Sequence, residues 1–244
     1  MKIVVPISGG KDSQACLKLA IQEVGRNNVI GLFCDTKFEH PITYKHIDTM
    51  KELYKCRIDT VCGGSVIEKC VKYKRFPGGG ARFCTEELKM RETKLYCYRI
   101  ADEYKHGFTL LYGMRVGESA SRKKKYNHVT NADLLDMNEV FPSKYPKKLA
   151  KMGIFMRLPI VDWTEDDVFS YLCGEHNPLY DHGFDRVGCF PCLAAGDRYK
   201  DKAFTFDSFG EGQREKVAAL ERQFGKTVFS NTAYDSSGCM LCSI

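Results

Sequence analysis

The sequence has no long hydrophobic run, no internal repeat and no low-complexity segment, and each absence excludes a class of protein. No apolar stretch approaches the ~20 residues that a membrane-spanning helix needs. The chain enters a predicted strand at Lys2 without the charged and apolar regions of a signal peptide. We therefore expect a cytoplasmic protein with no membrane contact. Its 43% hydrophobic and 28% charged residues are ordinary for a globular fold.

Cysteine, by contrast, is abundant, with twelve residues in a chain of 244. In a reducing cytoplasm, thiols are expected to be core side chains, metal ligands or redox groups rather than structural disulfides. Six lie among apolar neighbours and are predicted to be core residues: Cys16, Cys34, Cys62, Cys70, Cys97 and Cys173. Cys56 lies between Lys55 and Arg57 and its role is left open, and the remaining five do not fit that description: Cys84, Cys189, Cys192, Cys239 and Cys242.

The Walker phosphate-binding motif is also missing, yet residues 8–13, Ser-Gly-Gly-Lys-Asp-Ser, have the features of a different phosphate-binding loop. They lie between a predicted buried strand and a predicted amphipathic helix. Glycines allow a close approach to an anion, and the N–H groups at a helix start favour negative charge. Lys11 and the serines add donors, and we assign Asp12 to a metal ion or to orienting a donor. The alternative is an ordinary capped glycine turn.

Strand and helix patterns alternate along most of the chain. Strands are predicted over residues 2–7, 28–35, 58–62, 108–114 and 154–161. This alternation predicts an α/β fold: a doubly wound, mostly parallel sheet with helices on both faces. The region beyond residue 176 is rich in loops and cysteine. We predict a nucleotide-binding domain over residues 1–176 and a Cys-containing C-terminal region over 177–244 packed on it.

Asp35 ends the second predicted strand, at the edge of a parallel sheet where ligands bind, so it either faces a nucleotide or caps a helix or turn. Thr85 is predicted to cap a helix, which would place Cys84 just before the helix N-terminus. A thiol at that position has a lowered pKa and suits a metal ligand or a reactive thiolate.

The positive charge is concentrated in residues 115–157. This stretch has ten basic and four acidic residues, and its excess of six equals the net charge of the whole chain. Such a stretch predicts a site for polyanions, with tRNA or DNA as candidates. Arg115 and Arg122, with Ser119, follow a predicted strand and suit a phosphate, sulfate or carboxylate. The run of lysines at 123–125 is assigned mostly to solvated surface.

Two Gly-Cys-x-x-Cys segments occur near the C-terminus, at residues 188–192 and 238–242. Together they offer four thiolates, which suits either tetrahedral zinc or a [4Fe–4S] cluster. Cys84 is a fifth candidate ligand, so one thiol is left to act as a redox-active or sulfur-carrying group. A purely redox tail is the alternative to metal binding.

Taken together, these motifs resemble the phosphoadenosine phosphosulfate (PAPS) reductase family within the PP-loop ATP pyrophosphatases. Residues 8–13 resemble the PP-loop, S-G-G-x-D-S. Further resemblances are Asp35-Thr36, Arg82-x-Cys84-Thr85 with Leu88-Lys89, Arg115 with Glu118, Ser119 and Arg122, Trp163-Thr164 with Asp167-Val168, Asn177-Pro178-Leu179-Tyr180, and Gly188-Cys189 with Cys192. The intact PP-loop favours ATP, because sulfonucleotide reductases of the family have a degraded loop.

The resemblance implies an enzyme that uses ATP or a related adenine nucleotide with Mg²⁺, and it favours [4Fe–4S] over zinc. The expected nucleotide-binding residues are Ser8, Gly9, Gly10, Lys11, Asp12, Ser13, Asp35, Arg115, Glu118, Ser119 and Arg122. The expected catalytic residues are Lys11, Asp12, Arg115 and Cys239, and the expected metal ligands are Cys84, Cys189, Cys192, Cys239 and Cys242. The leading reaction is adenylation and thiolation of an acceptor, with a sulfur donor protein as partner.

Two alternatives remain. One is a sulfonucleotide reductase in which a C-terminal cysteine attacks the substrate sulfur, with thioredoxin as partner. The other is a metal-stapled module that binds nucleic acid through residues 115–157.

Overall fold

One parallel sheet organises the chain, which the computed structural model describes over residues 2–78 and 82–229. Its strands are β1 (Ile3–Ile7), β2 (Val29–Cys34), β3 (Arg57–Val61), β4 (Thr109–Leu111) and β5 (Phe155–Arg157). They lie in the order β3-β2-β1-β4-β5, and every neighbouring pair is parallel. The five predicted strands are confirmed, although β4 and β5 are shorter than predicted.

Helices connect the strands and continue after the last of them. In the described residues they are α1 (Lys11–Val24), α2 (Pro41–Tyr54), α3 (Val66–Tyr73), α4 (Phe83–Thr85), α5 (Arg91–Tyr104), α6 (Ala120–Tyr126), α7 (Met137–Val140), α8 (Lys148–Lys151), α9 (Glu165–Leu172), α10 (Asp197–Phe204) and α11 (Ser208–Phe224). Single 3₁₀ turns cover Arg26–Asn28, Val116–Glu118 and Pro178–Tyr180, and a π-helical turn covers Glu86–Met90.

Both faces of the sheet are covered, as predicted for a doubly wound α/β fold. Side chains of β1 alternate between two hydrophobic clusters: Ile3 and Val5 pack with residues of α1, α2 and α9, whereas Val4 packs with α5. The central strands β1 and β2 are buried along their whole length, which explains their nearly continuous apolar sequences. None of the helices in the part of the chain that the structure describes is both long and apolar enough to cross a bilayer.

The segment after residue 176 packs back onto the sheet. Glu39 and Cys189 form an isolated antiparallel bridge, and the Phe190 amide donates to the Phe38 carbonyl oxygen at 2.6 Å. Helices α10 and α11 contribute Phe204 and Val217 to a cluster that also contains Phe38. The domain boundary at residue 176 stays a prediction.

Two local predictions were wrong. Thr85 does not cap a helix: α4 begins at Phe83 after Arg82, and the π-helical turn that follows joins it to α5. Cys84 therefore lies inside the first helical turn rather than before it. Cys62 and Cys173 are exposed, because each lies just past the end of an element, whereas the other four cysteines predicted to be core residues are buried.

The contact between α10 and α11 predicts opposite effects for two glycines of α11. A Cβ on Gly210 would lie 2.1 Å from the Ala203 carbonyl oxygen, whereas a Cβ on Gly212 would meet nothing within 4 Å. We expect Gly210→Ala to lower the free energy of unfolding by about 1–3 kcal/mol through overpacking. Gly212→Ala should raise it by up to ~1 kcal/mol, because alanine is the better helix former. Urea unfolding measures both, and equal stability of the two variants would contradict this packing.

Candidate functional site

The loop between β1 and α1 is fixed by its own side chains. The Ser13 hydroxyl accepts from the Ser8 amide at 3.2 Å and donates to the Gly10 carbonyl oxygen at 2.9 Å. Gly9 has a φ of +77°, and a Cβ there would lie 2.6 Å from a methyl carbon of Thr43. The N-cap residue of α1, Gly10, makes no side-chain capping bond. Apart from the Lys11 amide, which donates to the Tyr180 hydroxyl, this end can therefore offer its N–H groups to an anion.

Two residues of the Pro178–Tyr180 turn region brace this loop from outside. The fully buried Asn177 donates from Nδ2 to the Gly9 carbonyl oxygen at 3.1 Å. The Tyr180 hydroxyl accepts from the Lys11 amide at 3.0 Å. The sequence assigned no role to either residue beyond the family motif that contains them.

Beyond β4, the chain passes directly over the start of α1. A Cβ on Gly113 would lie 2.7 Å from the carbonyl carbon of Asp12, so only glycine permits this approach. Two residues later, the buried Arg115 donates from Nε to Asp12 Oδ1 at 2.5 Å. The sheet topology therefore brings the loop of residues 8–13 and the segment that begins at Arg115 together. The first follows β1 and the second follows β4, and these strands are neighbours at the point where strand order reverses.

Lys11 is buried, and its ammonium group has several neighbours. Nζ lies 2.8 Å from Glu165 Oε1 and 3.7 Å from Asp12 Oδ2, over the rings of Phe169 and Tyr180. Burial by itself lowers the pKa of Lys11, but Tyr180, Asp12 and Glu165 outweigh it, and the pKa is raised above its ordinary value. The sequence did not predict that Glu165 would be a site residue, because no feature distinguishes it from Asp166 and Asp167 in the first turn of α9.

Arg122 and Glu118 form an ion pair, and Glu118 Oε2 also accepts from the Arg115 amide at 2.9 Å. Arg122 is only 1% exposed. Ser119 has a structural role here: its hydroxyl accepts from the Arg122 amide and caps α6.

These elements surround a cleft of ≈ 980 Å³, at the upper end of the size of small-molecule sites. Of the predicted binding residues, the cleft is lined by Ser8, Gly10, Lys11, Asp12, Ser13, Arg115, Glu118 and Arg122. Gly9, Ser119 and Asp35 are not part of its lining. Additional lining comes from Val116, Gly117, Asp162–Glu165, Tyr180, Gly183–Val187, Ala195, Gly196, Arg198, Tyr199 and Lys202.

Asp35 caps a turn, the second of its two predicted roles. Oδ1 accepts from the Lys37 amide at 2.8 Å and from the Tyr44 hydroxyl at 2.7 Å, and Oδ2 pairs with Lys37 Nζ. Although burial raises the pKa of Asp35, the hydrogen bonds from Lys37 and Tyr44 outweigh it and hold the pKa below its ordinary value.

The cysteines of the described residues lie outside this cleft. Cys84 and Cys189 pack on the same hydrophobic cluster, and the Cys189 thiol lies 3.3 Å from Thr36 Oγ1 and donates to Glu39 Oε1 at 3.7 Å. Burial raises the pKa of Cys189 to about 12, so this thiol is protonated at neutral pH.

A metal site needs more than these thiols. Within residues 2–78 and 82–229, no group of three or more His, Cys, Asp or Glu side chains is arranged to hold a metal ion. Cys239 and Cys242 lie outside the described residues. The described cysteines alone therefore do not fit zinc or an iron–sulfur cluster, and a four-thiolate site requires residues beyond Phe229.

The basic residues of the 115–157 stretch are divided among several places. Arg115 and Arg122 are buried in the cleft, and three others have internal partners: Lys125 with Val140, Lys144 with Glu86, and Arg157 with Glu23. The exposed ones are Lys123 and Lys124 on α6, and Lys147, Lys148 and Lys151 at α8. Since α8 precedes β5, it lies at the amino edge of the sheet, opposite the cleft.

Comparisons with known proteins identify a family and several relatives of this chain. The model of the phosphoadenosine phosphosulfate reductase domain family matches residues 2–195. An uncharacterised protein of Methanocaldococcus jannaschii is 30% identical over 195 residues, which are 79% of this chain but only 36% of that protein. Adenosine 5'-phosphosulfate reductase of Salinibacter ruber is 24% identical over 170 residues, 68% of this chain and 58% of the relative.

A solved structure of PAPS reductase from Candida auris, in complex with phosphate, superposes with a TM-score of 0.49 at 17% identity, covering 78% of this chain and 82% of the other. Because the family model spans well over half of the sequence, the chain belongs to the phosphoadenosine phosphosulfate reductase domain family.

Proposed function

We propose that this protein is an enzyme that binds ATP or a related adenine nucleotide at residues 8–13 and couples its α–β cleavage to sulfur chemistry. In the leading form of the reaction, an acceptor is adenylated and its activated oxygen is replaced by sulfur. The observation that carries the proposal is the intact loop at the open amino end of α1, facing a cleft at the point where strand order reverses.

In this reaction, Lys11 and Arg115 bind the polyphosphate. Each is paired with a carboxylate in the structure, Lys11 with Glu165 and Arg115 with Asp12, so phosphate oxygens would exchange with those carboxylates. Fixed cations at the loop stabilise the charge that develops on the departing pyrophosphate. Arg122 is proposed to hold the acceptor or the α-phosphate.

The carboxylates of the cleft fit a magnesium ion. On the side of the loop, the cleft is lined by three cationic side chains and four carboxylates, those of Asp12, Glu118, Asp162 and Glu165. A surplus of carboxylates repels a polyphosphate unless a cation accompanies it, and carboxylate oxygens are the protein ligands that Mg²⁺ prefers. Asp12 is the proposed ligand, and a bound Mg²⁺ would supply charge stabilisation to the phosphates.

Sulfur delivery is assigned to the C-terminal cysteines. Cys239 is the proposed sulfur-carrying residue. Four of the five cysteines Cys84, Cys189, Cys192, Cys239 and Cys242 are the proposed ligands of a [4Fe–4S] cluster, with zinc as the alternative.

A second candidate is reduction of a sulfonucleotide without ATP cleavage, which the family and the Salinibacter ruber relative favour. Thioredoxin-dependent release of sulfite from adenylyl sulfate would distinguish it from thiolation. A metal-stapled nucleic-acid-binding module is less well supported, because the basic residues at 115–157 are divided between opposite edges of the sheet and the cleft would have no role.

Lys11→Ala tests the nucleotide site. We expect the dissociation constant for Mg-ATP to rise roughly 10- to 100-fold, because hydrogen bonds to charged groups are worth about 1.5–3 kcal/mol, and conversion of ATP to AMP and pyrophosphate to be lost. Lys45→Ala, on an exposed face of α2, is the matched control. Calorimetric titration and chromatography of the nucleotide products measure both effects, and retained pyrophosphate release in Lys11→Ala would refute the assignment.

Glu165→Gln tests the exchange of carboxylate for phosphate at Lys11. Without divalent cations, this variant should bind ATP roughly two- to fivefold more tightly, because a partly exposed ion pair is worth about 0.2–1 kcal/mol. Asp166→Asn, the exposed neighbour on the same helix, controls for the change in net charge. An equal gain in both variants, measured in EDTA, would show that the Lys11 pair does not compete with ATP.

Metal analysis tests the cysteine ligands. Anaerobically purified protein is expected to contain about four iron and four sulfide per chain, or one zinc in the alternative. Cys189→Ser and Cys192→Ser should lose the metal, whereas the exposed Cys62→Ser should retain it. Protein that folds without iron or zinc would contradict metal binding.

A further inference from the structure

The cleft has two walls with different charge. The loop wall comprises the lining residues of 8–13, 115–122 and 162–165; each of its three cations is ion-paired with a carboxylate of the same wall. The α10 wall comprises Gly183–Val187 and the lining residues of 195–202. It carries three cations, Arg186, Arg198 and Lys202, but one carboxylate, Asp185. The surplus positive charge of the cleft therefore lies on the wall that the phosphate-binding loop does not use.

Arg198 is the clearest source of that surplus. It lies in the first turn of α10 and is exposed, and it forms no ion pair with any described residue. Lys202 is fixed by donating to the Gly183 carbonyl oxygen at 2.5 Å, and Tyr199 donates to the Arg186 carbonyl oxygen at 3.4 Å. These contacts hold the two segments of the α10 wall together, so Arg198 projects from a defined surface rather than from an isolated loop.

The α10 wall is also held at a fixed place relative to the loop. A Cβ on Gly10 would lie 3.2 Å from both the Val187 carbonyl oxygen and the Tyr180 hydroxyl. The chain thus passes from its contact with the loop directly into the wall. A group bound at Arg198 and a nucleotide bound at Lys11 would share one cleft whose walls are joined by packed backbone.

We infer that the α10 wall is a second anion subsite, in which Arg198 binds a phosphate group of the second reactant. The inference rests on the proposed function, since it assigns the loop wall to the nucleotide polyphosphate. Arginine suits a phosphate by bidentate contact. The phosphate belongs either to a nucleic-acid backbone or to a small nucleotide that carries a second phosphate. Holding both reactants in one cleft supplies the proximity that a group transfer needs.

The test compares Arg198→Gln with Arg222→Gln, an exposed arginine on α11 outside the cleft. Three probes are titrated into each full-length variant: Mg-ATP, a fluorescein-labelled single-stranded 20-mer as RNA or DNA, and adenosine 3′,5′-bisphosphate. We expect Arg198→Gln to weaken binding of either the oligonucleotide or the bisphosphate about tenfold, because a hydrogen bond to a charged group is lost. For an oligonucleotide, the slope of log K against log salt should also fall by roughly 0.7, the loss of one phosphate contact.

Weakening confined to the oligonucleotide assigns the subsite to nucleic acid, and weakening confined to the bisphosphate assigns it to a small nucleotide; either supports the inference. If Arg198→Gln and Arg222→Gln bind both probes alike, or if Arg198→Gln weakens only Mg-ATP, the second subsite is refuted while the nucleotide site stands. If the unmodified protein does not bind Mg-ATP, the proposed function fails instead, so the two failures are distinguishable.

Discussion

The candidate site depends on the contacts that fix the conformation of the loop of residues 8–13. An anion-binding loop must direct backbone N–H groups towards a ligand rather than towards each other, and such groups are costly when left without partners. The cost is offset by contacts made elsewhere in the loop. Gly113 permits β4 to approach the backbone of Asp12, Asn177 binds the Gly9 carbonyl oxygen, and Tyr180 binds the Lys11 amide. Two separate parts of the chain, the segment after β4 and the Pro178–Tyr180 turn region, therefore hold one six-residue conformation.

Burial of the cations imposes a second constraint. Lys11, Arg115 and Arg122 are each less than 10% exposed, and a buried charge requires a partner. Glu165, Asp12 and Glu118 supply these partners, so the proposed anion binding at this wall would exchange a carboxylate for a phosphate rather than fill a positive pocket. Exchange favours ligands with several charges and an accompanying cation. That preference matches a metal-bound nucleotide better than a single sulfate or phosphate group.

The sheet could be predicted from the sequence because its central strands β1 and β2 are nearly continuous apolar runs and amphipathic helices follow them. The loop could be predicted because glycine, serine and lysine between a strand and a helix have few other uses. The roles of Glu165 and Arg198 could not be predicted. Glu165 pairs with Lys11, which is far away in sequence, and only the fold places Arg198 in the same cleft as the loop of residues 8–13. The predicted helix start near Cys84 was wrong. The hydrophobic pattern indicated one helix beginning after Thr85, whereas the structure has α4 joined to α5 by the π-helical turn Glu86–Met90.

The segment after residue 176 contributes to the site rather than merely covering it. Asn177 and Tyr180 hold the loop, Val187 lies against Gly10, and two residues later Cys189 pairs with Glu39 beyond the end of β2. A change of ligation or protonation at Cys189 would act on a short, well-packed segment whose other end touches the nucleotide loop. Linkage requires that any such effect be reciprocal, so a nucleotide that tightens the loop must also alter the free energy of changes at Cys189. Residues 187–189 therefore join the loop of residues 8–13 to the Glu39 contact, although neither Cys189 nor Glu39 lines the cleft.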